Sequence, residues 1–164
     1  MNLQQFWNII EDTWKDVPAL YEMRNSAIQE NDEELIEAAN SEIQDGVFME
    51  NLEGRLANLD KADLADYIRH LEERMYHLDR KEIQKYTDGS DDGFLYCRCF
   101  IVAMGEAYYN MIDKDPSKAA MDMEAEGFGF IAYGIYEDKF DEDFDRYKFH
   151  SMESGSNAAQ WKKK

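Results

Sequence analysis

The sequence predicts an all-α protein, a single-domain irregular helical bundle of about five to six helices around a central apolar helix. Three observations carry that expectation. Apolar residues recur at three- and four-residue steps in every strongly patterned segment, which is the period that lays side chains along one helix face. The two prolines, Pro18 and Pro116, both stand where a helix can begin. A chain of 164 residues, 44% hydrophobic and carrying nine Phe, ten Tyr and three Trp, can fill one core and fits one domain.

Leu3, Phe6, Trp7, Ile10 and Trp14 share one face and predict a helix from about Asn2 to Trp14. Pro18 opens a second helix through Met23 and Ala27, because a first-turn residue needs no backbone donor. Asn31 and Glu34 stand at capping-box spacing and start a longer helix toward Leu59, through Ile36, Ile43, Leu52 and Leu56. Gly46 and Gly54, each costing about 1 kcal/mol in a helix, mark where it would break. Asp60 caps the next helix, whose Leu64, Ile68, Leu71, Met75 and Leu78 keep 4-3-4-3 spacing. From Phe94 to Ile112 only Arg98 and Glu106 carry charge, and a helix apolar on all sides belongs at the centre of a bundle. Asp115-Pro116 opens the last helix, through Phe128, Ile131 and Ile135 toward Phe140. The helical domain is expected over residues 1–148. Residues 149–164 lack periodicity and are expected to form a mobile C-terminal tail.

Lys and Arg number 18 against 36 Asp and Glu, a formal net charge of −18. Nucleic acid, itself a polyanion, would be repelled, so no direct nucleic-acid binding is expected and a basic protein partner is. The longest mainly apolar run, Phe94 to Val102, is interrupted by Arg98 and is too short for a membrane span. The chain opens without a basic stretch followed by an apolar one, and Cys97 and Cys99 are its only cysteines; the expected location is cytoplasmic.

Residues 87–94, Thr-Asp-Gly-Ser-Asp-Asp-Gly-Phe, resemble the start of a calcium loop, with Asp88, Ser90 and Asp92 at alternate positions before Gly93. The position that should supply a bidentate acid is Cys99, a poor ligand for a hard cation, so no metal is expected there. Ser90 or Asp91 is expected to cap the following helix instead. Arg98 is the odd residue in that helix, since an unpaired buried charge costs several kcal/mol. Asp91, seven residues earlier and on nearly the same face, is the expected partner in a structural ion pair. The functional alternative is a polar pocket of Asp91, Asp92 and Arg98, lined by Trp7 and Tyr96, able to hold an anionic or hydrogen-bonding group.

These residues also carry a resemblance. Phe6-Trp7, the run Ser90-Asp91-Asp92-Gly93-Phe94 with Tyr96 and Arg98, then Gly105 and Asp115-Pro116 resemble a bacterial domain family of unknown function, over roughly residues 3–140. Cys97 and Cys99 depart from that pattern, where Phe and a small residue would be expected. The resemblance implies a shared fold and brings no activity with it.

His70 and His77 flank the apolar seam of their helix with Asp66 and Glu73 nearby, and are expected to be solvated boundary residues rather than ligands. Nucleophile-elbow, phosphate-loop, dinucleotide and zinc-protease patterns do not occur, and no cofactor is expected. In residues 137–147 acids alternate with aromatics, and Phe140, Asp141, Asp143, Phe144 and Asp145 are the expected partner-binding residues: the rings would supply affinity and the charge would speed encounter. The expected function is thus that of a non-enzymatic, acidic, cytoplasmic protein-binding module of inhibitor, immunity-type or regulatory character. The alternative is a small enzyme or ligand-binding domain around Asp91, Asp92 and Arg98.

Overall fold

The computed structural model describes residues 1–162, and among them are ten α-helices, one 3₁₀ turn and no β-strand. The helices are α1 (Leu3–Lys15), α2 (Pro18–Glu30), α3 (Glu33–Asp45), α4 (Val47–Ala57), α5 (Lys61–Leu78), α6 (Lys81–Gln84), α7 (Asp91–Ala103), α8 (Glu106–Lys114), α9 (Glu126–Phe140) and α10 (Ala158–Trp161). The all-α expectation holds, and the expected five to six helices undercount. The excess comes from breaks in segments with continuous apolar patterns and from short helices at α6 and α10.

The expected third helix divides at Gly46. Glu42 Oε2 accepts from Val47 N–H at 3.0 Å, giving the first turn of α4 an acceptor that the interrupted ladder no longer supplies. Its start is also displaced by one residue. Asp32, not Asn31, caps α3 by accepting from Leu35 N–H at 2.9 Å, while Asn31 takes the left-handed backbone (φ +49°) that ends α2. Gly54 stays inside α4.

The apolar segment after Gly93 divides at Gly105, whose φ of +96° is reached readily only without a side chain; a Cβ there would also stand 3.1 Å from Arg24 Nη1. A helix leaves its last carbonyls without internal partners. At the end of α7 two are taken from afar, Ala103 O by Trp14 Nε1 at 2.9 Å and Met104 O by Arg24 Nη1 at 3.1 Å. Arg24 is buried, pairs with Glu11 at 2.7 Å and lies over the rings of Trp14 and Tyr21.

The last expected helix begins later than Asp115-Pro116. Asp115 accepts from Ser117 Oγ at 2.6 Å, but only a 3₁₀ turn, Pro116–Lys118, follows. Residues 119–125 are held in non-helical form by α7 and its approach: Asp122 N–H donates to Thr87 O at 3.3 Å, Ala125 N–H to Tyr96 O at 3.4 Å, and Cys97 Sγ to Met123 O at 3.2 Å. The helix resumes as α9.

From Phe94 to Ala103 every residue of α7 except Tyr96 is buried, and the helix packs against α3, α5, α8 and α9. The approach to α9 is closest at Gly129, where a Cβ would stand 2.5 Å from Cys99 Sγ. Both cysteines are unpaired and buried. Lack of hydration destabilises a thiolate, and burial pushes Cys97 and Cys99 up to about 12.

Of the expected mobile tail, residues 149–162 are tied to the body, and residues 163 and 164 lie outside the described residues. Met152 is fully buried and Asn157 nearly so. The anchor is Asp79, a fully buried carboxylate just past the end of α5. It accepts from Gly155 N–H at 2.9 Å, Asn157 N–H at 2.8 Å, Trp161 Nε1 at 2.8 Å and Ser156 Oγ at 3.3 Å. The sequence pattern missed this attachment because it is made mainly by backbone N–H groups, which have no periodic signature.

Asp79→Ala should lower stability by about 2 to 4 kcal/mol, since several hydrogen bonds to one charge are lost together. Chemical denaturation would measure the loss, and limited proteolysis should show faster cleavage within residues 150–162. Because both thiols stay protonated well above neutral pH, Cys97 and Cys99 should resist alkylation at pH 8 in the folded protein and react only after denaturation. Mass spectrometry before and after denaturant would read this directly.

Candidate functional site

Residues 87–94 form a helix start. Asp88 Oδ1 accepts from Ser90 N–H at 2.6 Å and Ser90 Oγ at 2.8 Å, and the Ser90 hydroxyl in turn accepts from Gly93 N–H at 3.1 Å. The bonds from the Ser90 backbone and hydroxyl hold the Asp88 carboxyl below its usual range. Asp91 and Asp92 project from the first turn into solvent, where the positive end of the helix dipole favours acids.

Arg98 does not pair with Asp91. Its guanidinium is fully buried, donates to Met75 O and Met152 O at 2.9 Å each and to Ser154 Oγ at 3.0 Å, and lies 4.5 Å from the Phe94 ring centroid. Asp91 contributes only its carbonyl, which accepts from Ser154 Oγ at 2.6 Å. Burial pulls Arg98 below its ordinary value, and the nearby Asp79 charge opposes that shift. Trp7 lies in α1 and lines a separate cleft of about 250 Å³ with Glu11, Arg24 and Glu106. Tyr96 turns to α9 and donates to Glu126 Oε1 at 3.1 Å, a bond that raises its hydroxyl above the usual value. The five residues of the expected polar site are therefore not brought to one cavity.

The acidic aromatic segment is also rearranged. Phe144 is buried against Tyr133 and Tyr136, with the Arg69 guanidinium 4.3 Å from its ring. It cannot serve as an exposed anchor. Phe140 is half-buried and packs on Tyr136, while Asp141, Asp143 and Asp145 are exposed. Much of the local charge is matched: Glu137 pairs with Arg146 at 2.8 Å, Glu142 with Lys61 at 2.8 Å and Asp145 with Lys148 at 3.5 Å. The exposed ring here is Phe149, at 67%.

A different surface carries the longer run of acids without a basic residue. Between Arg24 and Arg55 the chain carries nine acids, Glu30, Asp32, Glu33, Glu34, Glu37, Glu42, Asp45, Glu50 and Glu53, and no Lys, Arg or His. The end of α2 with α3 and α4 therefore forms an acidic ridge. Beside it lies a cleft of about 310 Å³ between the start of α3 and residues 118–123. Ile36, Ala119, Ala120, Met121 and Met123 give its apolar lining, Glu33 and Glu37 its acidic side, and Lys118 a single basic side chain at its edge. Met121 is 63% exposed. Gln44 Nε2 donates to Glu124 O at 2.7 Å and ties the two walls together. The signal for this site was present in the sequence as thirty consecutive residues without a basic side chain, a pattern less conspicuous than acids alternating with rings.

Among the described residues no group of His, Cys, Asp or Glu is arranged to hold a metal ion, and no helix is long and apolar enough to cross a membrane. No curated protein and no solved structure matches the chain. The model of one family, described as "Protein of unknown function (DUF4240)", matches residues 1–154. With nearly its whole length inside that match, the chain belongs to the DUF4240 family.

Proposed function

We propose that this protein is a non-enzymatic protein-binding module of the cytoplasm, of inhibitor, immunity-type or regulatory character, whose acidic ridge on α2–α4 receives a basic segment of another protein. The observation that carries this reading is the run of nine unopposed acids beside the 310 Å³ cleft. Lys and Arg side chains combine an apolar stem with a charged head. The cleft offers both counterparts, methionine, isoleucine and alanine for the stem and Glu33 and Glu37 for the head. Like charges crowded along α3 and α4, with Lys118 the one cation lining the cleft, repel one another in the free protein, and a basic partner relieves that repulsion while the ridge steers its approach. The same field disfavours nucleic acid.

The fold supports a rigid docking surface. Residues 119–125 are fixed by one backbone hydrogen bond to Thr87, before α7, by one to Tyr96 of α7 and by Cys97, so the cleft wall is held before a partner arrives. Preorganisation of this kind reduces the ordering cost of association.

A Lys- and Leu-rich helical peptide provides a defined probe. Nuclear magnetic resonance titration should shift the amides of Glu33, Glu37 and Ala119 to Met123. The triple substitution Glu33→Gln, Glu34→Gln, Glu37→Gln should slow association roughly 3- to 10-fold at low salt. That difference should fade toward 1 M salt, where the screening length falls to about 3 Å. Met121→Ala should mainly hasten dissociation. Shifts centred on residues 137–149, or unchanged rates in the triple variant, would show the reading to be wrong.

A further inference from the structure

We infer that the cleft between the last turn of α5, helix α8 and helix α10 is a binding site for a small molecule carrying a compact oxyanion, a phosphate or carboxylate group. The cavity encloses about 300 Å³, at the lower end of the range for small-ligand sites. It is polar on every side. Arg74 and His77 come from α5, Arg80 from the residue pair that follows it, Tyr109 and Asn110 from α8, and Gln160 from α10.

The lining of the cleft departs from the acidity of the molecule. Against a net charge of −18, the cleft contains two guanidinium groups and one carboxylate, Asp113. That carboxylate is already matched: Arg80 Nη1 donates to Asp113 Oδ1 at 2.6 Å and Nη2 to the Asp113 carbonyl at 2.9 Å. Asp113 thus opposes an incoming anion weakly, and Arg74, which meets Glu73 through one nitrogen at 3.1 Å, keeps the rest of its planar fork for a ligand. The negative end of a helix dipole explains cations near the end of α5. It does not explain why uncommitted polar side chains from two other helices line the same space. His77 and Asn110 are exposed and Gln160 is half-buried, and among the described residues their side chains make no hydrogen bond to the protein, which leaves their donors facing the open cleft. An ammonium ligand would meet two guanidinium groups, whereas an oxyanion would meet donors from α5, α8 and α10. The contribution of α10 lies beyond residue 154, where the family match ends.

The test uses the full chain, labelled with ¹⁵N and titrated separately with inorganic phosphate and with acetate at constant ionic strength. Saturable shifts of the Asn110 and Gln160 side-chain amides are expected for at least one of the two, and which one it is assigns the oxyanion. Arg74→Gln should weaken that binding at least tenfold, and Gln160→Ala, at a half-buried position of α10, should weaken it about threefold; the second variant decides the matter if the first fails to fold. Linear shifts without saturation for both anions, or equal affinity in wild type and in the folded variants, would overturn the assignment.

Discussion

The structure depends on a cation buried without an anion in contact. Arg98 enters the core on α7 and spends its donors on the carbonyl of Met75 near the end of α5, on the carbonyl of Met152 and on the Ser154 hydroxyl. Moving a guanidinium out of water costs several kcal/mol, and the return comes from groups that carry partial rather than full charge. Two fields help. The last carbonyls of α5 form the negative end of a helix dipole, and the Asp79 carboxylate lies close enough to favour the charged arginine. Asp79 in turn could not remain buried at that end of a helix without the four donors of the terminal segment. Arg98, Asp79 and residues 152–161 are therefore one arrangement, and removing any part leaves the others with unmet polar groups.

The opposite end of α7 repeats the solution with different parts. Arg24 reaches across to Met104 O, and Trp14 to Ala103 O, so the carbonyls exposed by the break at Gly105 are met by α1 and α2. Glu72 is the fourth buried charge, accepting from Tyr133 Oη, Arg69 Nη1 and Tyr147 N–H at 2.8 to 2.9 Å. Each of these side chains joins elements far apart in sequence. Apolar contact fills the core, while the buried polar groups decide which helix ends meet.

That division explains what could be read from the residues. Periodic apolar spacing identified α1, α2 and α5, the Ser90 cap and the all-helical class, because those features are written in neighbouring side chains. The break at Gly46 was one of two that the sequence marked, with Gly54, whereas the break at Gly105 was not visible, since a glycine interrupts a helix only when tertiary partners hold the two ends apart. Arg98 was read as the partner of Asp91 because sequence shows carboxylates and hides carbonyls; its acceptors are backbone oxygens that any residue could have supplied. Phe144 was placed on the surface by its acidic neighbours, yet the chain turns at Asp141 and Tyr147, both with left-handed backbone, and points the ring inward. The acidic ridge was legible in composition alone, whereas the cleft beside it needed residues 118–123 to be placed against α3, which no local pattern specifies.

The positions of the tryptophans give the molecule a separate optical reporter for each of its parts. Trp7 and Trp14 are buried in α1, the latter stacked near Phe48 and Arg24, whereas Trp161 is half-buried on the terminal segment against Phe94. Indole emission shifts to longer wavelength as water reaches the ring, so the α1 pair reports on the body of the bundle and Trp161 on whether the terminal segment is attached. The covalent continuity of the chain thus joins two spectroscopically distinct clocks, one for the core and one for the strap that Asp79 holds in place.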